Sequence, residues 1–116
     1  MPLKGEYILR PIGTDWSFAD THPASEDATV TVPGEEGKKH YITSVLGSFE
    51  ADNQEGRLEV TCAGDTVFET FITGNPVDFE PGTPIACGEN EDIVLTLYNE
   101  SNNQATVFIA GFTRKA

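Results

Sequence analysis

The chain reads as a single all-β domain, a two-sheet sandwich or barrel of seven to nine short strands. Three observations point there. Eleven glycines and seven prolines are scattered along 116 residues, and such breakers cut a chain into pieces too short for long helices. Between them, apolar and polar residues alternate with the period of a half-buried strand. These strand-like runs recur every 8–12 residues or so, separated by turn signals. The length fits one domain, able to bury roughly two-thirds of the surface its unfolded chain exposes.

Residues 1–27 differ in texture from the rest. Tyr7, Ile8, Leu9, Ile12, Trp16 and Phe18 follow neither a helical nor a sustained strand period, and 20–27 is polar with room for one helical turn after Thr21. This segment is either an arm that docks elsewhere or an added strand pair on the core of a sandwich spanning residues 28–116. Ala28 to Val32 is a short β-branched run stopped by Pro33-Gly34. The longest strand is expected from His40 to Glu50. Strict alternation puts Tyr41, Val45 and Phe49 on one side and Ile42 and Leu46 on the other, and Gly47 marks a bulge or close backbone approach.

Leu58, Val60 and Cys62 alternate with Arg57, Glu59 and Thr61, the pattern of a half-buried strand. Ala63-Gly64-Asp65 follows as a tight hairpin turn in which Gly64 supplies a positive φ. Thr66 to Thr73 returns, and Gly74-Asn75-Pro76 breaks it. Val77 to Phe79 is a short strand before the Pro81-Gly82-Thr83-Pro84 corner, and Ile85 to Cys87 is confined to a sheet margin by the flanking prolines. The last two strands are the most apolar. Ile93, Leu95 and Leu97 share one face of the first, with Val94 and Tyr98 opposite. In the second, Thr106, Phe108, Ala110 and Phe112 oppose Val107, Ile109 and Gly111. Strands apolar on both faces are unusual in a lone sandwich, whose outer face meets water. Either a second subunit or another part of the chain is expected to cover one outer face.

A formal charge of −12 keeps the chain soluble and repels phosphates at long range, so nucleic acid and anionic lipid are not expected partners. The N-terminal MPLKGEYILRPIG lacks the apolar core of a secretory signal, and no run approaches the roughly 20 apolar residues of a membrane span. The expectation is synthesis in a cytoplasm. Cys62 and Cys87 match no zinc spacing and are expected as two buried small hydrophobes, with a disulfide as the alternative.

Catalytic chemistry finds little footing. His22 and His40 are the two imidazoles, no GxSxG elbow offers a nucleophile, and no HxH pair offers a metal its ligands. His40 is expected as a polar residue at a strand edge. Carboxylates gather at Glu89, Glu91 and Asp92 and again at Glu50, Asp52 and Glu55. They suit calcium better than hydrolysis, yet the second group lacks the first ligand of an EF-hand loop. The expectation is therefore a binding or assembly module without a cofactor, not an enzyme.

The order of motifs resembles a group of small jelly-roll virion proteins of tailed bacteriophages. The residues that carry the likeness are Gly37-Lys38-Lys39-His40-Tyr41-Ile42-Thr43, then Leu58 to Val60, Gly64, Thr66-Val67 and Val77-Asp78-Phe79. Pro84-Ile85, Gly88, Leu95, Leu97 and Val107 to Gly111-Phe112 follow in order. The resemblance covers roughly residues 28 to 114. The acidity departs from the pattern, as does Cys62 in place of a polar turn residue.

The resemblance implies a jelly-roll sandwich of about eight strands, assembled as a homotrimer. It would act as a capsid decoration (cement) protein that binds the major capsid protein on the outer surface of the head after synthesis in the host cytoplasm. Leu95, Leu97, Phe108 and Phe112 are then the expected core or subunit-interface residues. Tyr7, Leu9, Trp16 and Phe18 are the expected capsid-contact arm. The alternative is a carbohydrate- or receptor-binding β module of a phage fibre or spike, with Trp16 or Tyr98 stacking on sugar rings.

Overall fold

The computed structural model describes residues 15–23, 26–50, 55–73, 75–99 and 103–116. Among them are nine strands: β1 (Trp16–His22), β2 (Ala28–Val32), β3 (Lys38–Phe49), β4 (Glu55–Cys62), β5 (Asp65–Thr73), β6 (Val77–Phe79), β7 (Ile85–Glu89), β8 (Ile93–Leu97) and β9 (Ala105–Lys115). All pairings are antiparallel. One sheet runs β1-β9-β3-β6, with β7 also paired to β3, and the other runs β2-β8-β4-β5. The pairs nest: β1 with β9, β2 with β8, β3 with β6 and β7, and β4 with β5. One long hairpin is thus wound so that successive pairs fall in alternate sheets, which is the jelly-roll order.

Alternation explains the core. Ala28, Val30 and Val32 from β2, Leu58, Val60 and Cys62 from β4, and Ile93, Leu95 and Leu97 from β8 all point inward. They meet Ile42, Val45, Ala105, Val107 and Ile109 of the facing sheet. Each fully buried Leu or Ile contributes about 1.5–3 kcal/mol. The hairpin at Ala63-Gly64 is a two-residue loop with φ of 50° and 86°, the positive pair that matches the twist of flanking strands.

The longest strand departs from strict alternation. β3 faces β9 with Ile42 opposite Gly111 and Ser44 opposite Ala110, leaving Thr43 as the extra residue of a bulge. The bulge lies at Thr43, where alternation alone suggested Gly47. It reverses parity, so Ile42 and Val45 both point inward while Leu46 sits half-buried on the outside. A second bulge at Val67 does the same for β5, because Val60 pairs with Phe68 but Thr61 with Thr66.

The two open sides of the sandwich are closed differently. On the β5 side, Phe68 and Phe79 stack with centroids 4.3 Å apart, and Cys62 of β4 is disulfide-bonded to Cys87 of β7. The expectation of two unpaired cysteines is thereby corrected. Both are buried as expected, but wrapping β7 across from β4 brings their Cα atoms to 5.6 Å. Packed sheets stand about 10 Å apart, so the sheets converge at this corner.

On the β1 side, Trp16 Nε1 donates to Thr113 Oγ1 at 3.0 Å, and that hydroxyl lies 2.7 Å from His40 Nδ1. His40 Nε2 lies 2.7 Å from the Pro33 carbonyl, which only accepts, so in the neutral ring Nε2 carries the proton and Nδ1 accepts from Thr113. His40 is 3% exposed, not the strand-edge polar residue expected, because the start of β3 is covered by Trp16, edge-on to its ring. Gly111 makes room for this: a Cβ there would collide with the Tyr41 carbonyl and the Trp16 ring.

Candidate functional site

Trp16 and Phe18 belong to β1, in register with Gly111 and Ile109 of β9. They lie on the inner side of the sheet at its open edge. Trp16 packs against the core, and Phe18 remains 43% exposed. Strand β1 runs through His22, and His22 Nε2 lies 2.9 Å from Asp20 Oδ2. Tyr7 and Leu9 lie outside the described residues.

The remaining expected interface residues separate. Leu95 and Leu97 are wholly buried between the sheets and are core. Phe108 and Phe112 stand half-buried on the outer face of the β1-β9-β3-β6 sheet. There Phe108 is opposite Leu46 on one side and Ala19 on the other. Phe112 stacks on Tyr41 with centroids 4.9 Å apart, and Tyr41 neighbours Ala86 of β7. With Ser17, Ser44 and Ala110, these make a low, largely apolar face on a strongly acidic protein, bordered by Asp78 opposite Leu46 and by Arg114 over the Phe112 ring.

Charges collect beyond its end. Lys38 pairs in register with Lys115, and Lys39 with Arg114. Like charges opposite each other repel, and acids compensate: Glu35 lies 3.5 Å from Lys38, Asp15 bonds Arg114, and Glu89 is opposite Lys39. The basic run that opens β3 thus serves as counter-charge at this end. The nearby carboxylates hold turns: Glu91 accepts the Gly88 amide and Asp92 the Gly34 amide. Among the described residues, no group of three or more His, Cys, Asp or Glu could hold a metal ion. No helix there is long and apolar enough to cross a membrane.

The outer face of the β2-β8-β4-β5 sheet is of another kind. Arg57 lies over the Tyr98 ring, 4.4 Å from its centroid, and its Nη1 donates to Glu69 at 2.7 Å. Glu59 accepts from the Thr66 hydroxyl at 2.7 Å and the Tyr98 hydroxyl at 2.9 Å. The Thr66 bond first, then that of Tyr98, holds the Glu59 carboxyl below the usual range, with Arg57 adding to the effect. The same bond, more than burial, raises the Tyr98 phenol. Beside this network Phe71 is 62% exposed, directly opposite Arg57. Glu55, Gly56, Arg57, Phe71 and Tyr98 line an open cleft of about 410 Å³.

Sequence reasoning found Arg57 and Glu59 on one strand face but not their partners. The expected three-residue turn Ala63-Gly64-Asp65 is a two-residue loop with Cys62 opposite Asp65, and the Val67 bulge then brings Glu69 opposite Glu59.

The fold and its two unlike outer faces define a jelly-roll sandwich. No family model matches the chain, and no curated protein matches it. Among solved structures it is similar to PirA, at 10% identity over 84% of this chain and 94% of that one, with a TM-score of 0.47. It is similar to the Drosophila NLP-core at 23% identity over 85% and 98%, TM-score 0.47. A third is the CBM36-1 domain of a multidomain xylanase from the hindgut metagenome of Trinervitermes trinervoides, at 16% identity over 82% and 73%, TM-score 0.42. Likenesses at this level carry no argument about function.

Proposed function

We propose that the chain is a non-enzymatic virion structural protein of a tailed bacteriophage. In this reading it is a trimeric decoration subunit that binds the outer surface of the capsid and stabilises it. The observation that carries the reading is the apolar outer strip built by Leu46–Phe108 and Tyr41–Phe112, with charges only at its margins in Asp78 and Arg114, on a chain of net charge −12. Contiguous apolar surface of this kind marks an interaction site, and depletion of charge is the mark of an interface core. Threefold closure joins different patches of neighbouring copies. A subunit that binds only the assembled shell stabilises it by mass action.

Sedimentation over a dilution series tests the assembly, with a trimer expected. Mixing the protein with undecorated heads tests the role, with a rise in their resistance to heat expected. A dilution-stable monomer that leaves heads unbound removes the reading. A second reading, a glycan- or receptor-binding module, is favoured by the exposed Phe71 beside Arg57 and Tyr98.

A further inference from the structure

We infer that the β4-β5-β8 face carries a subsite for an uncharged saccharide, centred on Phe71, Arg57 and Tyr98. The inference rests on the second reading above and names its place and its ligand class. Outward positions of a solvated sheet are normally polar, yet Phe71 is 62% exposed. Its ring stands in the register position opposite Arg57 and borders a cleft of about 410 Å³, within the range of small-molecule sites.

A sugar ring offers two things: a C–H face that packs on an aromatic ring, and neighbouring hydroxyls that suit planar, forked polar groups. Phe71 supplies the first. For the second, Arg57 is fixed between the Tyr98 ring and Glu69, with further N–H donors in its fork. Tyr98 is in turn fixed by Glu59. Side chains held in place before binding lose little freedom when the ligand arrives.

Charge narrows the ligand class. Glu55, Glu59 and Glu69 outnumber Arg57 here, so uronic, sialic or sulfated sugars meet repulsion. A cationic peptide is the weaker fit, because Glu59 is engaged by Thr66 and Tyr98 and Glu69 by Arg57.

The test is an NMR titration of the full chain with maltose, cellobiose and N,N′-diacetylchitobiose, with glucuronic acid and a lysine-rich peptide as counter-probes. Expected are saturable shifts at Phe71, Arg57 and Tyr98 with a neutral probe, weakened about tenfold in Phe71→Ala and reduced in Arg57→Lys. Phe71→Ala should melt like the wild type, since its ring is exposed. If a sugar binds but Phe71→Ala does not weaken it, the subsite falls and the glycan-binding reading stands. If no neutral probe gives saturable shifts, or only the peptide or glucuronic acid does, the inference is overturned.

Discussion

Cys62 and Cys87 join the end of β4 in one sheet to β7 in the other. The bond closes a segment of sequence separation 25 containing β5, β6 and the proline corner, so it ties down the part of the jelly roll that holds its shortest strand, β6. By loop-closure entropy such a link contributes about 3 kcal/mol. The Cys62→Ala/Cys87→Ala double variant should therefore melt well below the wild type. Reductant should lower the wild-type midpoint toward that of the variant and leave the variant unmoved.

Ala63 occupies a left-handed conformation, φ 50°, that glycine and asparagine adopt more readily. Ala63→Asn and Ala63→Gly should each raise stability by roughly 0.5–1 kcal/mol, read as a shift in the denaturation midpoint. A loss would mean that the turn does not hold its positive-φ pair in solution.

His40 links three strands and a loop through Thr113, Trp16 and Pro33. Replacing it by Ala strands the Pro33 carbonyl and opens a hole under Trp16. A loss of roughly 3 kcal/mol is expected in chemical denaturation. Trp16 fluorescence should shift red, because its ring rests against His40.

The Glu59–Tyr98 bond is sensitive at both ends of the pH scale. Glu59 has a folded pKa below its unfolded one, so its contribution is present above the ordinary carboxylate range and lost as pH falls through the folded value. Tyr98 has its pKa raised, so its share is complete below the ordinary tyrosine range and lost as pH rises through the folded value. Glu59→Gln should flatten the acid limb of the stability profile and Tyr98→Phe the alkaline limb. A tyrosinate absorbance titration should show one late-titrating phenol that Tyr98→Phe removes.

Phe108 and Leu46 point away from the core. Phe108→Asp, alone or with Leu46→Asp, should leave the circular dichroism spectrum unchanged and shift sedimentation from the proposed trimer to monomer. Head binding should weaken with it. Unchanged sedimentation of a wild-type trimer in both variants would place the subunit contact elsewhere.

How far the chain could be read from its letters depended on whether alternation ran unbroken. In β2, β4 and β8 it does, and Val30, Leu58, Val60, Leu95 and Leu97 lie in the core as their period requires. The hairpin turn was legible, as Ala63-Gly64-Asp65 where the loop is Ala63-Gly64, because turn chemistry is local. In β3 and β5 one extra residue, Thr43 and Val67, reverses the parity of everything beyond it. No single-strand pattern records that.

The all-β class, the succession of strands along the chain and most inward positions were thus determined by sequence alone, because they follow from local backbone preference and a period of two. Tertiary structure decided the Cys62–Cys87 bond, the burial of His40 and the meeting of Arg57 with Glu69, Tyr98 and Phe71. It also decided which of two apolar strand faces became core and which was left outside, as Leu95 and Phe108 show. Each of these relations joins residues from strands distant in the chain, and depends on register between strands and on how two sheets converge.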